Sequence, residues 1–216
     1  TKSIEHLLML LILDIEGIKK YNIEDFNYYK KKIKKKDISF WGERFEIFVY
    51  SKLISKLYTT FKNIRRGVMG KEADFIVDFD GYNISLETTS LIYNENSSKS
   101  NPISKLKSKI SEKECKCYCS LNCCLIVDIT NLSFYRKIYD NYSVSIFQLF
   151  ETFESKFGAI LLHESFHLSG ENALTFYSQV YDWVNPNVDG KLKDFLSQLL
   201  GQREFLDGKK IYLKTI

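Results

Sequence analysis

Two acidic residues, Asp74 and Glu87, stand on the two arms of a predicted β-hairpin. Apolar and polar residues alternate over 73–79 and 82–89, and Asp80-Gly81 lies between these two runs. An Asp-Gly pair between alternating runs is typical of a two-residue hairpin turn. Counting outward from that turn places Asp74 directly opposite Glu87, with Cβ atoms about 4.5–5.5 Å apart. The sequence therefore predicts two carboxylates that meet at one point on a sheet.

Two like charges in that position destabilise a hairpin unless something compensates for them. Water can screen them, one carboxyl can keep its proton, or a divalent cation can bind between them. Ile76 lies on the same face, which argues against full exposure, although a solvated polar face with two acids is the alternative. Oxygen ligands select a hard cation, Mg²⁺ or Mn²⁺. Such a cation can generate hydroxide and stabilise charge on a phosphate during hydrolysis.

The residues around these acids, 72–77, Asp80-Gly81 and 84–89, resemble the core of the PD-(D/E)XK nuclease superfamily. That family has an α-β-β-β-α-β core, with a first acid early on one hairpin strand and a Glu-x-Lys sequence on the next. Asp74 matches the first acid and Glu87 the second. The resemblance covers roughly residues 40–187. It implies a Mg²⁺- or Mn²⁺-dependent nuclease that hydrolyses DNA, with Asp74, Glu87 and the carbonyl of Thr88 as metal ligands.

The segment before the hairpin, residues 41–46, resembles the leading helix of that family, which often adds a glutamate. Phe45, Val49 and Leu53 recur at helical spacing and form an apolar stripe. On a helical wheel Glu46 lies beside this stripe, whereas Glu43 lies beyond its edge. Glu46 is therefore the better match, and the resemblance implies that it assists through a second metal or a water.

The family's lysine should stand two residues after Glu87, where this chain has Thr89. Some members carry that lysine on a neighbouring element instead, which directs attention to the predicted helix 102–114. Asn101-Pro102 favours its start, because asparagine caps helices and proline suits the first turn. The apolar stripe of this helix is Ile103, Leu106 and Ile110.

Lysines of this helix are the candidates for the missing catalytic group. Lys107 lies at one edge of the apolar stripe, leaning toward the sheet, and is the first choice. Lys109, one turn from Lys105 on the exposed flank, is the second. Lys113 lies at the opposite edge, near the end of the helix. The alternative is that all of them are solvated or contact phosphates, and a site that no lysine enters would be slow or inactive.

Basic residues are concentrated in two stretches, although the net charge is only +4. Six of the seven residues from Lys30 to Lys36 are lysine, and six more lysines lie from Lys99 to Lys116. Such runs are either solvated faces or surfaces that follow a phosphate backbone. The second reading predicts DNA as the partner, contacts by Lys105, Lys107 and Lys109, and binding that weakens as salt rises.

Two other sequence patterns are of a kind that can bind zinc. Residues 163–167 match H-E-x-x-H, in which two histidines on one helical face bind zinc and the glutamate is a general base. The apolar residues before them predict a strand instead, with His163 at its end and His167 in the next loop. Five cysteines lie within residues 115–124, an odd count with no matched C-x2-C pairs, so we expect reduced thiols.

The elements that would position these residues are mixed along the chain. Helices are predicted over 4–19, 24–35, 40–61, 102–114, 144–156 and 190–200, and strands over 64–68, 73–79, 82–89, 123–129, 158–163 and 173–180. This order predicts an α/β fold with a central mixed β-sheet flanked by helices. The resemblance implies a restriction-endonuclease-like core in residues 37–216, preceded by an N-terminal helical extension, 1–36.

No apolar run reaches the length of a membrane span, and no secretory signal is visible. We therefore expect a cytoplasmic protein without a membrane partner, and a homodimer would suit an enzyme that cuts both strands. The leading hypothesis is a metal-dependent endonuclease, restriction- or defence-related by resemblance. A nuclease-like module that binds nucleic acid without cutting is the alternative, and a zinc metalloprotease is less favoured.

Overall fold

The turn of the hairpin has the geometry that its two residues predict. In the computed structural model, Asp80 and Gly81 have φ angles of 52° and 77°, both left-handed, as a type I′ turn requires. Asp78 Oδ1 accepts the N–H of Gly81 at 2.8 Å. The register runs outward from Phe79 opposite Tyr82 to Phe75 opposite Leu86, so the predicted pairing is confirmed for these residues. Asp74 lies one residue before β2, and its predicted pairing with Glu87 is not part of the observed ladder.

The structure describes residues 2–34, 40–57, 59–91, 102–130, 149–169, 174–200 and 214–215. Its helices and strands are α1 (Lys2–Tyr21), α2 (Ile23–Ile33), α3 (Phe40–Ser55), β1 (Asn63–Arg66), β2 (Phe75–Phe79), β3 (Tyr82–Ser90), α4 (Pro102–Glu114), β4 (Cys123–Asp128), β5 (Ala159–Ser169), β6 (Leu174–Val184), α5 (Gly190–Leu200) and β7 (Lys214–Thr215). No helix within these ranges combines the length and apolar character needed to cross a membrane.

The strands form one mixed sheet whose spatial order follows the chain from β1 to β7. β1, β2 and β3 are an antiparallel meander. β4 and β5 run parallel to β3, with α4 lying between β3 and β4 in the chain. β6 returns antiparallel to β5, and the short β7 pairs with β6. The predicted α/β fold with a central mixed sheet and flanking helices is confirmed at this level.

Helices cover both faces of the sheet. On one face, α1, α2, α3 and α5 share an apolar cluster with the strands that includes Ile18, Tyr29, Phe45, Leu86 and Phe195. On the other face, α4 packs on the strands in a cluster that includes Leu106, Ile110, Leu125, Val127 and Trp183. Because α1 and α2 contribute to the first cluster, these two helices share a hydrophobic core with the segment predicted as the nuclease-like domain.

Several element ends differ from the prediction. α3 ends at Ser55 rather than residue 61, because Leu57 forms an isolated bridge with Phe61, whose side chain is buried in the core. β5 continues to Ser169 rather than ending at residue 163, because it pairs with β6 along its whole length. The helix predicted over 144–156 lies partly outside the described residues, within which 149–151 are helical.

Candidate active site

Asp74 lies directly before β2, where the loop from β1 enters the sheet. Its Oδ2 atom accepts two hydrogen bonds from Thr88, one from the backbone N–H and one from the hydroxyl, each 2.7 Å long. Its carbonyl accepts the N–H of Gly67 at 2.8 Å. These bonds fix Asp74 between the end of β1 and the residue that follows Glu87.

Glu87 lies on β3 with only 3% of its surface exposed. Lys113 Nζ, from α4, lies 2.5 Å from its Oε1, and the Tyr118 hydroxyl donates to its Oε2 at 2.8 Å. Burial and the negative charge of Asp74 raise the pKa of Glu87, while Lys113 and Tyr118 act in the opposite direction. Both oxygens of the predicted second acid are therefore held by donors that follow β3 in the chain.

Glu46 reaches the site from α3. The Tyr29 hydroxyl donates to its Oε1 at 2.9 Å, and Lys32 Nζ lies 3.1 Å from its Oε2. Both donors belong to α2. Burial raises the pKa of Glu46, and the charge of Asp74 raises it further. The N-terminal helices thus contribute directly to the surroundings of a predicted site residue.

Asp74 is the common neighbour of the other two acids. Its negative charge raises the pKa of both Glu46 and Glu87, which requires that it lie within electrostatic reach of each. Lys32 and Lys113 each form an ion pair with one of these outer carboxylates. Asp74 is therefore within electrostatic reach of the other two acids named from the sequence, and Glu46 and Glu87 each have a lysine partner of their own.

The lysine at the site is not the one placed first by the helical wheel. Lys107 is exposed and does not lean toward the sheet, and Lys109 pairs with Glu112 at 2.7 Å on the outside of α4. Lys113, ranked below both, is the lysine that contacts Glu87. A signal for it was present, because its position continues the 3-4-3 spacing of the apolar stripe formed by Ile103, Leu106 and Ile110.

Three other residues that contact the acids were not singled out from the sequence. Tyr118 lies in the connection from α4 to β4, where no periodicity marks it. Tyr29 and Lys32 are three residues apart on α2 and therefore share one helix face. The lysine run that begins at Lys30 concealed the difference between Lys32, which is half-buried, and its exposed neighbours.

The donor atoms of the site suit a hard cation by their chemistry, since they are oxygens. Among the described residues, no three Asp, Glu, His or Cys side chains converge into a metal-binding group. A cation would therefore rely on Asp74, Glu87 and a backbone or water oxygen. Asp74 Oδ1 accepts no hydrogen bond from a described residue, so it is available, whereas Glu87 would be shared with Lys113 and Tyr118.

The H-E-x-x-H sequence lies within β5 rather than on a helix. Residues four apart on a strand are about 13 Å apart, so His163 and His167 cannot share one zinc ion. His163 is buried against the rings of Phe45 and Phe48, with centroids 5.4 and 4.9 Å away. Burial lowers the pKa of His163 to about 4. The expectation that His167 lies in a loop is wrong, and the helix that a zinc protease requires is not formed.

The cysteines are free thiols in two different surroundings. Cys123 and Cys124 are buried in β4, where burial raises the pKa of both. Cys115, Cys117 and Cys119 lie in the connection after α4. The Cys117 Sγ lies 3.9 Å from the carbonyl oxygen of Lys71. This contact joins the connection that carries Tyr118 to the loop between β1 and β2.

A buried ion pair anchors the part of α3 that carries Glu46. Arg44 Nη2 lies 3.0 Å from Asp128 Oδ2 at the end of β4, and both side chains are buried. The Thr130 N–H donates to Asp128 Oδ1 at 3.0 Å. Because Arg44 is only two residues from Glu46, the pair restricts how far the Glu46 carboxylate can move relative to the sheet.

Gly67→Ala is expected to disturb Asp74 through the backbone. A Cβ at Gly67 would lie 1.8 Å from the carbonyl oxygen of Ala73, so the chain before Asp74 would have to move. We expect a loss of about 1–3 kcal/mol in the free energy of unfolding, measured by urea denaturation. Gly42→Ala on α3 is the control, because a Cβ there meets nothing within 4 Å. Equal stabilities for the two variants would contradict this packing.

Comparison of the chain with family models, with curated proteins and with solved structures found no match. The resemblance to the PD-(D/E)XK nucleases therefore depends on the sequence patterns and on the geometry described above.

Proposed function

We propose that this chain is a metal-dependent nuclease that hydrolyses DNA phosphodiester bonds. The observation that carries the proposal is the bonding of Asp74 to Thr88, the residue after Glu87, together with the ion pair between Lys113 and Glu87. Two carboxylates and a lysine are the groups that define a PD-(D/E)XK site. Here the lysine would come from α4, since Thr89 occupies the usual position.

The order of the elements supports the same class. α3, the meander of β1, β2 and β3, then α4 and β4 follow the α-β-β-β-α-β order of that family's restriction-endonuclease-like core. Glu46 lies on the helix that leads this order, where the family often has a further glutamate. A restriction or defence role is part of the proposal by resemblance.

Each group has a chemical task in this proposal. A cation held by Asp74, Glu87 and the Thr88 carbonyl would supply activated water and neutralise charge on the phosphate. Lys113 presents its ammonium at Glu87, where its other N–H groups can stabilise a phosphate oxygen or orient the water. The raised pKa of Glu46 suits it to accept a proton from that water.

The helices that carry the two site lysines also offer contacts for the DNA backbone. α2 brings Lys32 to Glu46 and exposes Lys30 and Lys31, while α4 brings Lys113 to Glu87 and exposes Lys107. Exposed lysines beside a hydrolytic site can hold phosphates and set the register of the duplex without reading its sequence.

Removal of divalent cations is the direct test of this function. Phage genomic DNA, which contains many short sequences, should be cut by the wild-type chain with Mg²⁺ or Mn²⁺, remain intact in EDTA, and be cut again when excess cation is restored. Binding should weaken steeply with salt, because each neutralised phosphate adds about 0.9 to the slope of log K against log salt. Cleavage at full rate in EDTA would contradict the cation site.

A nucleic-acid-binding module that does not cut is the second candidate. It is favoured by Thr89 in the lysine position and by the two donors, Lys113 and Tyr118, that already bond both oxygens of Glu87. Salt-sensitive duplex binding in a gel-shift assay, without cleavage in Mg²⁺ or Mn²⁺, would favour this candidate over the nuclease.

A further inference from the structure

Two apolar side chains are exposed at the tip of the loop between β1 and β2. Met69 is 92% exposed and Val68 54% exposed. Gly70 follows them with a φ of 77°, a left-handed conformation that glycine adopts readily and that lets the chain reverse. Single exposed apolar residues are ordinary on protein surfaces, so exposure alone assigns no role to this tip.

The tip is held by bonds on both sides of Met69. The Glu72 carboxylate accepts the N–H of Val68 at 2.8 Å and is bound by both terminal nitrogens of Arg65 at 2.7 Å. The Val68 carbonyl accepts the N–H groups of Lys71 and Glu72 at 3.0 and 2.9 Å. These bonds fix the loop in a shape that keeps an apolar side chain in water, which the hydrophobic effect opposes.

The tip lies close to Asp74. Gly67, at the base of the loop, donates its N–H to the Asp74 carbonyl at 2.8 Å. Met69 is two residues from Gly67, so its Cα lies within about 13 Å of the Asp74 Cα. Base pairs in a duplex are stacked about 3.4 Å apart. The separation between Met69 and Asp74 corresponds to no more than about four base pairs along a duplex that has a phosphate at Asp74.

The charges beside the tip suit DNA better than an apolar protein surface. Lys71 and Lys116 are both exposed, and their segments meet where Cys117 contacts the Lys71 carbonyl. The acid of this loop, Glu72, is neutralised by its ion pair with Arg65. Two exposed cations near an apolar tip suit a ligand that carries phosphates beside stacked bases.

We propose that Met69, supported by Val68, is a wedge that enters a base step of duplex DNA near the cleavage site. This inference rests on the proposed nuclease function, which supplies the duplex. Proteins that kink DNA insert apolar side chains, methionine among them, between base pairs and partly unstack them. Pyrimidine–purine steps unstack most easily, so the wedge favours such a step within its reach of the scissile phosphate.

Fluorescence of 2-aminopurine tests the wedge without cleavage. The full chain is added in EDTA to a mixed-sequence duplex that carries 2-aminopurine at its pyrimidine–purine steps. Wild type should raise the fluorescence about twofold or more as the base unstacks. Met69→Ala should lose most of this rise and bind about tenfold more weakly, because the buried apolar side chain is lost, and Met69→Leu should retain the rise. Met9→Ala is the matched control, because Met9 is also exposed but lies on α1.

The outcomes separate the wedge from the nuclease. Wild-type binding without a fluorescence rise overturns the wedge, and so does an unchanged rise in Met69→Ala. In either case, DNA cleavage in Mg²⁺ would still support the nuclease function. Wild type that neither binds nor cuts any duplex overturns both proposals. Equal losses in Met69→Ala and Met9→Ala, whose melting temperatures should match that of wild type, also overturn the assignment to this loop.

Discussion

Asp74→Asn is expected to lower the rate of DNA cleavage by a factor on the order of 10³ while leaving the fold intact. The substitution removes the negative charge but keeps an oxygen that can accept the two hydrogen bonds from Thr88. What is lost is the charge that holds the cation, whose stabilisation of the phosphate in the transition state is worth several kcal/mol. Single-turnover cleavage at saturating Mg²⁺ measures this loss.

Asp78→Asn is the matched control for this experiment. Asp78 lies on β2, four residues after Asp74, and its Oδ1 accepts a hydrogen bond from the N–H of Gly81, which an asparagine oxygen can also accept. We expect its rate to stay within about twofold of wild type. Full activity in Asp74→Asn would remove Asp74 from the site. Loss in both variants would assign the effect to the hairpin instead.

The part of the site that could be predicted from the sequence is the part that local chemistry determines. Asp80 and Gly81 both adopt a left-handed backbone conformation, and the turn that they form sets the register of the two arms. Alternation of apolar residues then determines which side chains face the same way. The turn and the alternation place Asp74 and Glu87 at corresponding positions on the two arms, and the observed pairing ends one residue short of them, at Phe75 and Leu86.

Lys113 could not be chosen from the sequence in the same way. A helical wheel gives the angle of a side chain around the helix axis but not which strand residue lies opposite each turn of the helix. The wheel separates the buried stripe of α4 from its exposed face. It does not say which turn of the helix crosses above Glu87, which depends on how α4 packs on the face of the sheet. That packing places the last turn, not the middle of the helix, over the acid.

The contribution of α2 was hidden for a related reason. A run of lysines is ordinarily solvated, and nothing near Lys32 in the sequence indicates an acid partner. Its ion pair is with Glu46, and Arg66 of β1 bonds Asp25 of the same helix. Both contacts join residues distant in the chain, so the sequence near Lys32 and Asp25 gives no indication of either partner.

The H-E-x-x-H sequence is the opposite case: the motif suggests a zinc site on a helix, but these residues lie in a strand. The apolar residues before His163 correctly indicate a strand. The strand continues past His167 because β6 provides backbone partners as far as Ser169. Pairing of this length is a tertiary effect that overrides local preference, and it spreads the two histidines along a strand instead of gathering them on a helix.

Lys113→Ala is expected to lower the cleavage rate about 100-fold and to move the acid limb of the pH–rate profile to higher pH. Lys113 opposes the rise in the pKa of Glu87 that burial and Asp74 cause. Without its ammonium, the pKa of Glu87 rises further. Glu87 must be ionised to hold a cation, so a larger fraction of the variant is protonated and inactive at any given acidic pH. Rates measured across the acid limb test both effects.

Lys107→Ala on the same helix is the control that makes this result specific. Lys107 is exposed and six residues before Lys113, so its loss should weaken salt-sensitive DNA binding without moving the acid limb. A Lys113→Arg variant should recover the pH profile better than the rate, because arginine keeps the positive charge but not the ammonium geometry. If Lys107→Ala cleaves DNA slowly while Lys113→Ala cleaves at the wild-type rate, the catalytic lysine is Lys107 and not Lys113. That outcome would also mean that the Lys113–Glu87 ion pair only offsets a buried charge.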